Sequence, residues 1–348
     1  MDKTVKSNSF TNIIIKRESV IILTLILLWA LIQFVVSEHL AMRTSVDSEM
    51  YISGAKKLLN GQLPQGRDIF YSSYLIVLAF ISFLGLDPES VIYVHFLTAI
   101  GAIFCSYRLV LKLTGDTISA ISAPLLYITW FKFQQWNLIV YTDAMFSHMA
   151  IITIYALITA RNLKQKISAI ALIFFTSFLR PTGLGLLVVT SVYLVLETTF
   201  VKKIKLLPKI VAFTLFTLSA LWIINTALRG FIDSFIESYK VAEIIYPKIK
   251  FVIEEPEFLD IPAKTNEPIW RLFLFIINNP IYFLKLFTVK GLLFVGHIKP
   301  YYSLPHNVII AAFLYPLYFL AIKGYLSIKK SYPKLLLSSF IVFQTIVS

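Results

Sequence analysis

The sequence predicts an all-α fold: a polytopic membrane helix bundle with extracytoplasmic interfacial helices in its first outer loop. Three observations predict it. Of 348 residues, 57% are hydrophobic and only 15% charged, with mean hydropathy +0.77, whereas a soluble domain carries roughly a quarter charged residues. Apolar runs near the length of a bilayer core recur along the chain. They are unbroken rather than alternating, so backbone groups in lipid are satisfied within helices and not between barrel strands.

The net charge of +13 does not read as a nucleic-acid surface. Lys and Arg cluster in short loops between apolar runs, where they orient membrane proteins. The one cysteine, Cys105, lies inside an apolar run and reads as packing. The first run, 19–36, follows Lys3, Lys6, Lys16 and Arg17. It reads as a retained signal anchor, with "VVSEH" as a conceivable cleavage site.

Further apolar runs lie near 71–86, 91–111, 117–135, 144–160, 167–179, 182–201, 210–228, 273–296, 307–322 and 335–347. If every run crosses, the clusters Arg161, Lys164, Lys166 and Lys202, Lys203, Lys205, Lys209 fall outside, against the positive-inside tendency. One change repairs this: the short run 71–86, between "YSSY" and "GLDPE", lies on the outer surface. With 273–296 also external or interfacial, every short basic loop reaches the cytoplasm. The N-terminus is then cytoplasmic in the cell membrane, in one integral-membrane domain spanning 1–348. Its outer segments are about 37–90, 136–143 and 229–306. No internal repeat is present, which weakens a transporter reading. The chain stops inside or just after an apolar run, leaving room for further helices beyond Ser348.

Asp47, Glu49 and Asp143 thereby share the outer face. Asp47 opens an expected helix over 47–60, where Tyr51, Ala55, Leu58 and Leu59 make an apolar stripe and Gly61 a stop. Two roles suit Asp47: an N-cap, or a general base taking a proton from an attacking hydroxyl. Asp143 could cap the helix 144–160 or serve as a second carboxylate. Three carboxylates on one face could hold a divalent cation, the only cofactor the sequence suggests. His148 reads as a packed helix residue.

In "SFLRPTGLGLL" the rising helix 167–179 has about 13 residues, or about 20 Å, against a core of about 30 Å. Arg180 is therefore expected beneath the surface, either snorkelling or binding an anion such as phosphate. "VKGLLFVGHIKPYYSLPHN" gathers Lys290, His297, Lys299, Tyr301, Tyr302, His306 and Asn307 before a span. It reads as an interfacial belt, or as substrate contacts through Lys299, Tyr301 and His306.

These pieces together resemble the GT-C superfamily of integral-membrane glycosyltransferases, closest to bacterial protein O-mannosyltransferases and lipid A aminoarabinose transferases (glycosyltransferase family 39-like). The resembling stretches are "VDSEMYISGAKKLLNGQLP", "FYSSY", "YTDAMFSHMAII", "FLRPTGLGLL", "FIINNPIYFLKLFTVKGLLF" and "KPYYSLPHN", in family order. The resemblance implies transfer of a sugar from a polyprenyl-phosphate-type donor to a glycan, lipid or protein acceptor outside the cytoplasmic membrane, with inversion. It implies Asp47 as base, Asp143 as second acid and Arg180 near the lipid phosphate, with Glu49 and Tyr51 beside the substrate. The first-loop pattern is Asp-x-Glu where some relatives have Asp-x-Asp, which puts metal use in question. The alternatives are a transporter or flippase of lipid-linked sugars, and an O-antigen polymerase or ligase.

Overall fold

The computed structural model describes residues 3–197, 231–244, 253–299, 301–329 and 331–347, with Thr214, Leu218, Leu221, Trp222, Asn225, Thr226, Leu228 and Arg229. Most of the expected run 210–228, the end of 182–201, and Lys202, Lys203, Lys205 and Lys209 lie outside the described residues. Among the described residues the regular structure is helical, joined by one isolated parallel bridge between Arg43 and Ile139. The chain divides into two compact units: Met1–Leu63, Tyr71–Leu187 and Leu326–Ser331 in the first; Pro64–Phe70, Val188–Tyr325 and Tyr332–Ser348 in the second.

In the first unit, α1 (Lys3–His39), α4 (Val91–Thr114) and α5 (Thr117–Thr129) share a core of Leu25, Trp29, Ala99, Ile103, Tyr107, Ala120 and Ile128. Helix α7 (Thr142–Thr159) packs on α4 where Gly101 leaves room: a Cβ there would meet the Ile152 side chain at 3.1 Å. Helix α8 (Leu163–Ser177) starts at Asn162, whose Oδ1 accepts the Gln165 N–H at 2.9 Å. Lys164 and Lys166 therefore lie in its first turns, and not in the preceding loop.

The run 117–135 is not one span-length helix. Helix α5 holds 13 residues, carries Pro124, and stops at Trp130 (ψ 80). A short α6 (Phe131–Gln134) and a 3-10 turn (Gln135–Leu138) follow. The carbonyl of Tyr127, at the broken end, accepts the Gln134 side-chain amide at 2.7 Å.

Helix α2 (Val46–Leu59) falls where the apolar stripe predicts, ending before Gly61 at φ +76°. It packs on α3 (Ser72–Phe83), and Gly54 permits the approach: a Cβ there would lie 3.0 Å from Leu75. The α-helical part of the run 71–86 is 12 residues, about 18 Å, shorter than a bilayer core. With the preceding 3-10 segment (Gly66–Tyr71) it reaches 18 residues, apolar enough to cross. Helices long and apolar enough to cross a membrane are Arg17–His39, Gly66–Phe83, Pro88–Thr114, Thr142–Thr159 and Leu304–Ser327. This is compatible with a helical membrane bundle.

In the second unit, α10 (Ile232–Lys240), α11 (Pro268–Asn278) and α12 (Pro280–Gly296) enclose Ile232, Ile236, Tyr239, Phe275 and Leu286. The expected run 273–296 is not straight: α11 and α12 meet at 101°. Helices α13 (Leu304–Ser327) and α14 (Ser331–Val347) follow. The part of α9 (Leu184–Glu197) in this unit leaves, with α14, an apolar groove of about 300 Å³ lined by Val188, Val192, Leu335 and Phe343.

Candidate active site

Chain direction gathers the predicted acids and arginine at one end of the first unit. Helix α1 ends there, α2 and α7 begin there, and α8 finishes there. The opposite end collects the bases: Arg108 pairs with Glu18 at 2.5 Å, and the Lys112 ammonium donates to the Ile158 carbonyl at 2.9 Å.

Backbone bonds join the two loops that carry the carboxylates. The Arg43 N–H donates to the Leu138 carbonyl at 3.1 Å, and the Val140 N–H to the Arg43 carbonyl at 3.2 Å. The buried Ser48 hydroxyl adds a bond to the Val140 carbonyl at 2.6 Å. Ser48 also accepts the N–H of Ser45, the N-cap of α2, at 2.7 Å. The cap that the sequence offered to Asp47 is thus made by serines. Asp47 instead accepts the Tyr141 hydroxyl on Oδ2 at 2.7 Å.

Asp143 is not a cap either. Helix α7 begins at Thr142, after Tyr141 in an extended conformation (φ −151°, ψ 153°). The Asp143 carboxylate pairs with Arg180, both side chains about one-third exposed (27% and 30%). Tyr141 lies within electrostatic reach of Asp47, Asp143 and Arg180 alike. Burial foremost, then the bond to Asp47 and the two acidic charges, push its phenol far above the ordinary tyrosine value, while Arg180 pulls it down. It therefore stays a neutral donor.

Arg180 is extended (φ −163°, ψ 160°) between α8 and the 3-10 turn Pro181–Gly183. The turn closes through the Gly183 N–H to the Arg180 carbonyl at 2.8 Å. A Cβ on Gly183 would sit 2.5 Å from the Ser177 carbonyl oxygen, so the hairpin needs glycine there. The Ser73 N–H donates to the Phe178 carbonyl at 3.1 Å, tying the start of α3 to the same turn. The guanidinium carbon lies 5.7 Å from the Phe146 ring centre. Among the described residues, the buried Nε of Arg180 and the buried hydroxyl of Ser177 meet no hydrogen-bond partner.

The other predicted residues fall elsewhere. Glu49 is exposed, two residues past Asp47, so the two acids point to different sides of α2. Among the described residues no three His, Cys, Asp or Glu side chains gather to hold a metal; Asp47, Glu49 and Asp143 do not form that set. Tyr51 shares the Asp47 face but is only 1% exposed, its ring packed on Tyr71, Tyr74 and Tyr141. It braces the loop that carries Tyr141. Lys299, Tyr301 and His306 cluster within the second unit. The Lys299 ammonium lies over the rings of Tyr301 and Tyr302 at 5.7 and 5.5 Å, and Tyr302 stacks on His306 at 4.3 Å. Asn307 closes this loop by bonding both the N–H and the carbonyl of Lys299. Lys290 lies over Tyr239 at 4.8 Å, and His297 ends α12 in the left-handed region (φ 54°). His148 is fully buried between Thr98 and Tyr127.

Below the site runs a buried polar line. The Trp29 indole donates to Gln134 at 3.0 Å, and the Asn137 amide to Gln134 and Gln33. His95 bridges the Asn137 carbonyl and the Tyr74 hydroxyl, each at 3.3 Å. His95 therefore ties the Asn137 backbone to α3.

Sequence reasoning assigned no role to Tyr141, Ser48, Ser177 or Gly183. The available signals were a tyrosine two residues before an acid at a helix start, and a Ser-x-x-Ser pair opening α2. At this end, Tyr141 bonds a carboxylate, Asp47, on one oxygen, and also feels the charge of a guanidinium, Arg180, whose Nε–H meets no acceptor among the described residues. Such a pair can accept a proton and hold an anion together. No family model, no curated protein and no solved structure matches the chain.

Proposed function

We propose that the protein is a membrane glycosyltransferase that moves a sugar from a polyprenyl-phosphate-type lipid to an acceptor hydroxyl on the extracytoplasmic face. The observation that carries this reading is the linkage through Tyr141: Asp47 bonds its hydroxyl, and the Asp143–Arg180 pair lies within its electrostatic reach. Orientation follows from charge, since the opposite end of the first unit carries Arg108, Lys112, Arg161 and Lys164.

The chemistry balances without a cofactor. An acceptor hydroxyl gives its proton to the free oxygen of Asp47 as its own oxygen bonds the anomeric carbon. The bond from that carbon to the phosphate oxygen breaks on the opposite face, and the electron pair leaves with the phosphate. Configuration inverts. Arg180 stabilises charge growing on the departing phosphate, using the Nε–H that no described residue takes. Asp143 holds the guanidinium in place. Asp47 later releases its proton to water.

A second reading, a transporter or flippase of lipid-linked sugars, draws on the buried line of Gln33, His95, Gln134 and Asn137. Bond cleavage separates the two. Membranes containing the whole chain are incubated with synthetic prenyl-phosphate hexoses and pentoses bearing labelled sugars, and free polyprenyl phosphate is measured. The transferase reading expects chain-dependent release, lowered about 100- to 10,000-fold in Asp47→Asn. Release from none of the donors, or undiminished release in Asp47→Asn with the variant folded, overturns it.

A further inference from the structure

We propose that Tyr141 is the positioning residue for Asp47: its hydroxyl occupies one carboxylate oxygen and so presents the other to the acceptor. This rests on the transferase reading above. Oδ2 of Asp47 takes the Tyr141 hydroxyl at 2.7 Å, and among the described residues no donor reaches Oδ1. A carboxylate in the first turn of a surface helix can rotate about two bonds. One hydrogen bond from a phenol whose ring is packed on Trp136 and Tyr51 removes that freedom.

Everything around Tyr141 resists its movement. Its ring packs against Trp136 at 5.3 Å and Tyr51 at 5.8 Å. The preceding residue, Val140, is bonded on both its N–H and its carbonyl, to Arg43 and Ser48. Arg43 and Ser48 flank Asp47 in sequence, so donor and acceptor are fixed to the same short stretch of backbone. The pairing is built from both sides.

The role is distinct from packing. Tyr141→Phe keeps the ring contacts and deletes only the hydroxyl. It is expected to lower turnover about tenfold or more, the worth of a hydrogen bond to a charged group. The KM for the labelled prenyl-phosphate donors is expected to stay within about twofold, since binding contacts are untouched. A second readout needs no substrate. Infrared difference spectra of the parent chain against Asp47→Asn isolate the Asp47 carboxylate band, and that band is expected to move in Tyr141→Phe. Should Tyr141→Phe not accumulate in membranes, 3-fluorotyrosine at 141 keeps ring and hydroxyl, and its altered donor strength must shift the same band. Parent-like turnover in Tyr141→Phe, or a band unmoved by either change, overturns the positioning role. If Asp47→Asn itself retains full activity, the base assignment fails instead, so the two failures are told apart.

Discussion

Each unit of the molecule contains an aspartate paired with an arginine, and the two pairs are built differently. In the second unit Arg271 is almost wholly buried (5% exposed). Its NH1 donates to Asp233 at 2.7 Å and its Nε to the Pro262 carbonyl at 3.2 Å. Pro262 lies in the irregular stretch before α11, so this arginine pins a loop to a helix. In the first unit Arg180 gives one amino group to Asp143, and its buried Nε meets no acceptor among the described residues. A buried donor without an acceptor costs free energy on the order of 1–3 kcal/mol. An arginine that meets a ligand oxygen recovers that cost on binding, as the proposed role of Arg180 requires. The two arginines thus share a carboxylate partner and differ in what their Nε meets.

The largest expected effect lies on Asp47, already set at about 100- to 10,000-fold on turnover. Next come the two arginines, which break the comparison directly. Arg180→Ala is expected to lower kcat/KM for a prenyl-phosphate donor about 100-fold, the usual cost of removing one donor to a developing anion, with the acceptor KM unchanged. Arg271→Ala is expected to do the reverse: less folded protein in membranes and a lower thermal midpoint, with turnover per folded molecule within about twofold. Equal losses of donor and acceptor use in Arg180→Ala, or a turnover defect without a stability defect in Arg271→Ala, would remove the distinction.

Much of this was legible in the sequence, for identifiable reasons. The span of α2 followed from the period of Tyr51, Ala55, Leu58 and Leu59, and its end from Gly61. The placing of Asp47, Asp143 and Arg180 at one end followed from counting crossings, because alternating helices return their ends to the same side. The break after Thr129 was not legible, since hydropathy does not register a backbone turn at Trp130. Nor was the freeing of Asp47 and Asp143 from capping: an acid at a helix start satisfies the cap rule on paper, and only the backbone shows that Ser45 and Tyr141 occupy those positions. The importance of Tyr141 depends on the bridge between Arg43 and Ile139, a tertiary contact that neither loop announces alone.

A smaller effect is expected at the turn that aims Arg180. Gly183→Ala must displace backbone, since the Ser177 carbonyl oxygen would lie 2.5 Å from the new carbon. Strain of this kind costs about 1–3 kcal/mol, visible as a lowered thermal midpoint in detergent. The displaced turn carries Arg180, so donor use falls with it while acceptor KM holds. A Gly183→Ala chain with parent midpoint and parent turnover would show that the arginine is not aimed by this hairpin.

The smallest change asks which way the site faces, and it is designed to leave activity intact. Ser72 and Ser82 begin and nearly end α3, and both are half-buried. The Ser73 N–H is held by Phe178, close in sequence to Arg180, so the start of α3 belongs to the site's end of the unit. If α3 lies along the outer surface, single cysteines at 72 and 82 in a chain lacking Cys105 are both labelled by an impermeant thiol reagent added outside. Twelve helical residues span about 18 Å, too short to carry the second position across a core of about 30 Å. If the 3-10 segment before α3 adds its length to a true crossing, the cysteine at 82 is reached only from the cytoplasm. That result would restore alternation at the third helix, reverse the side assigned to everything after it, and separate the Asp47 loop from the Asp143 loop by a membrane. Their backbone bridge forbids this, so labelling at 82 from the cytoplasm alone would refute the bridge and the site together.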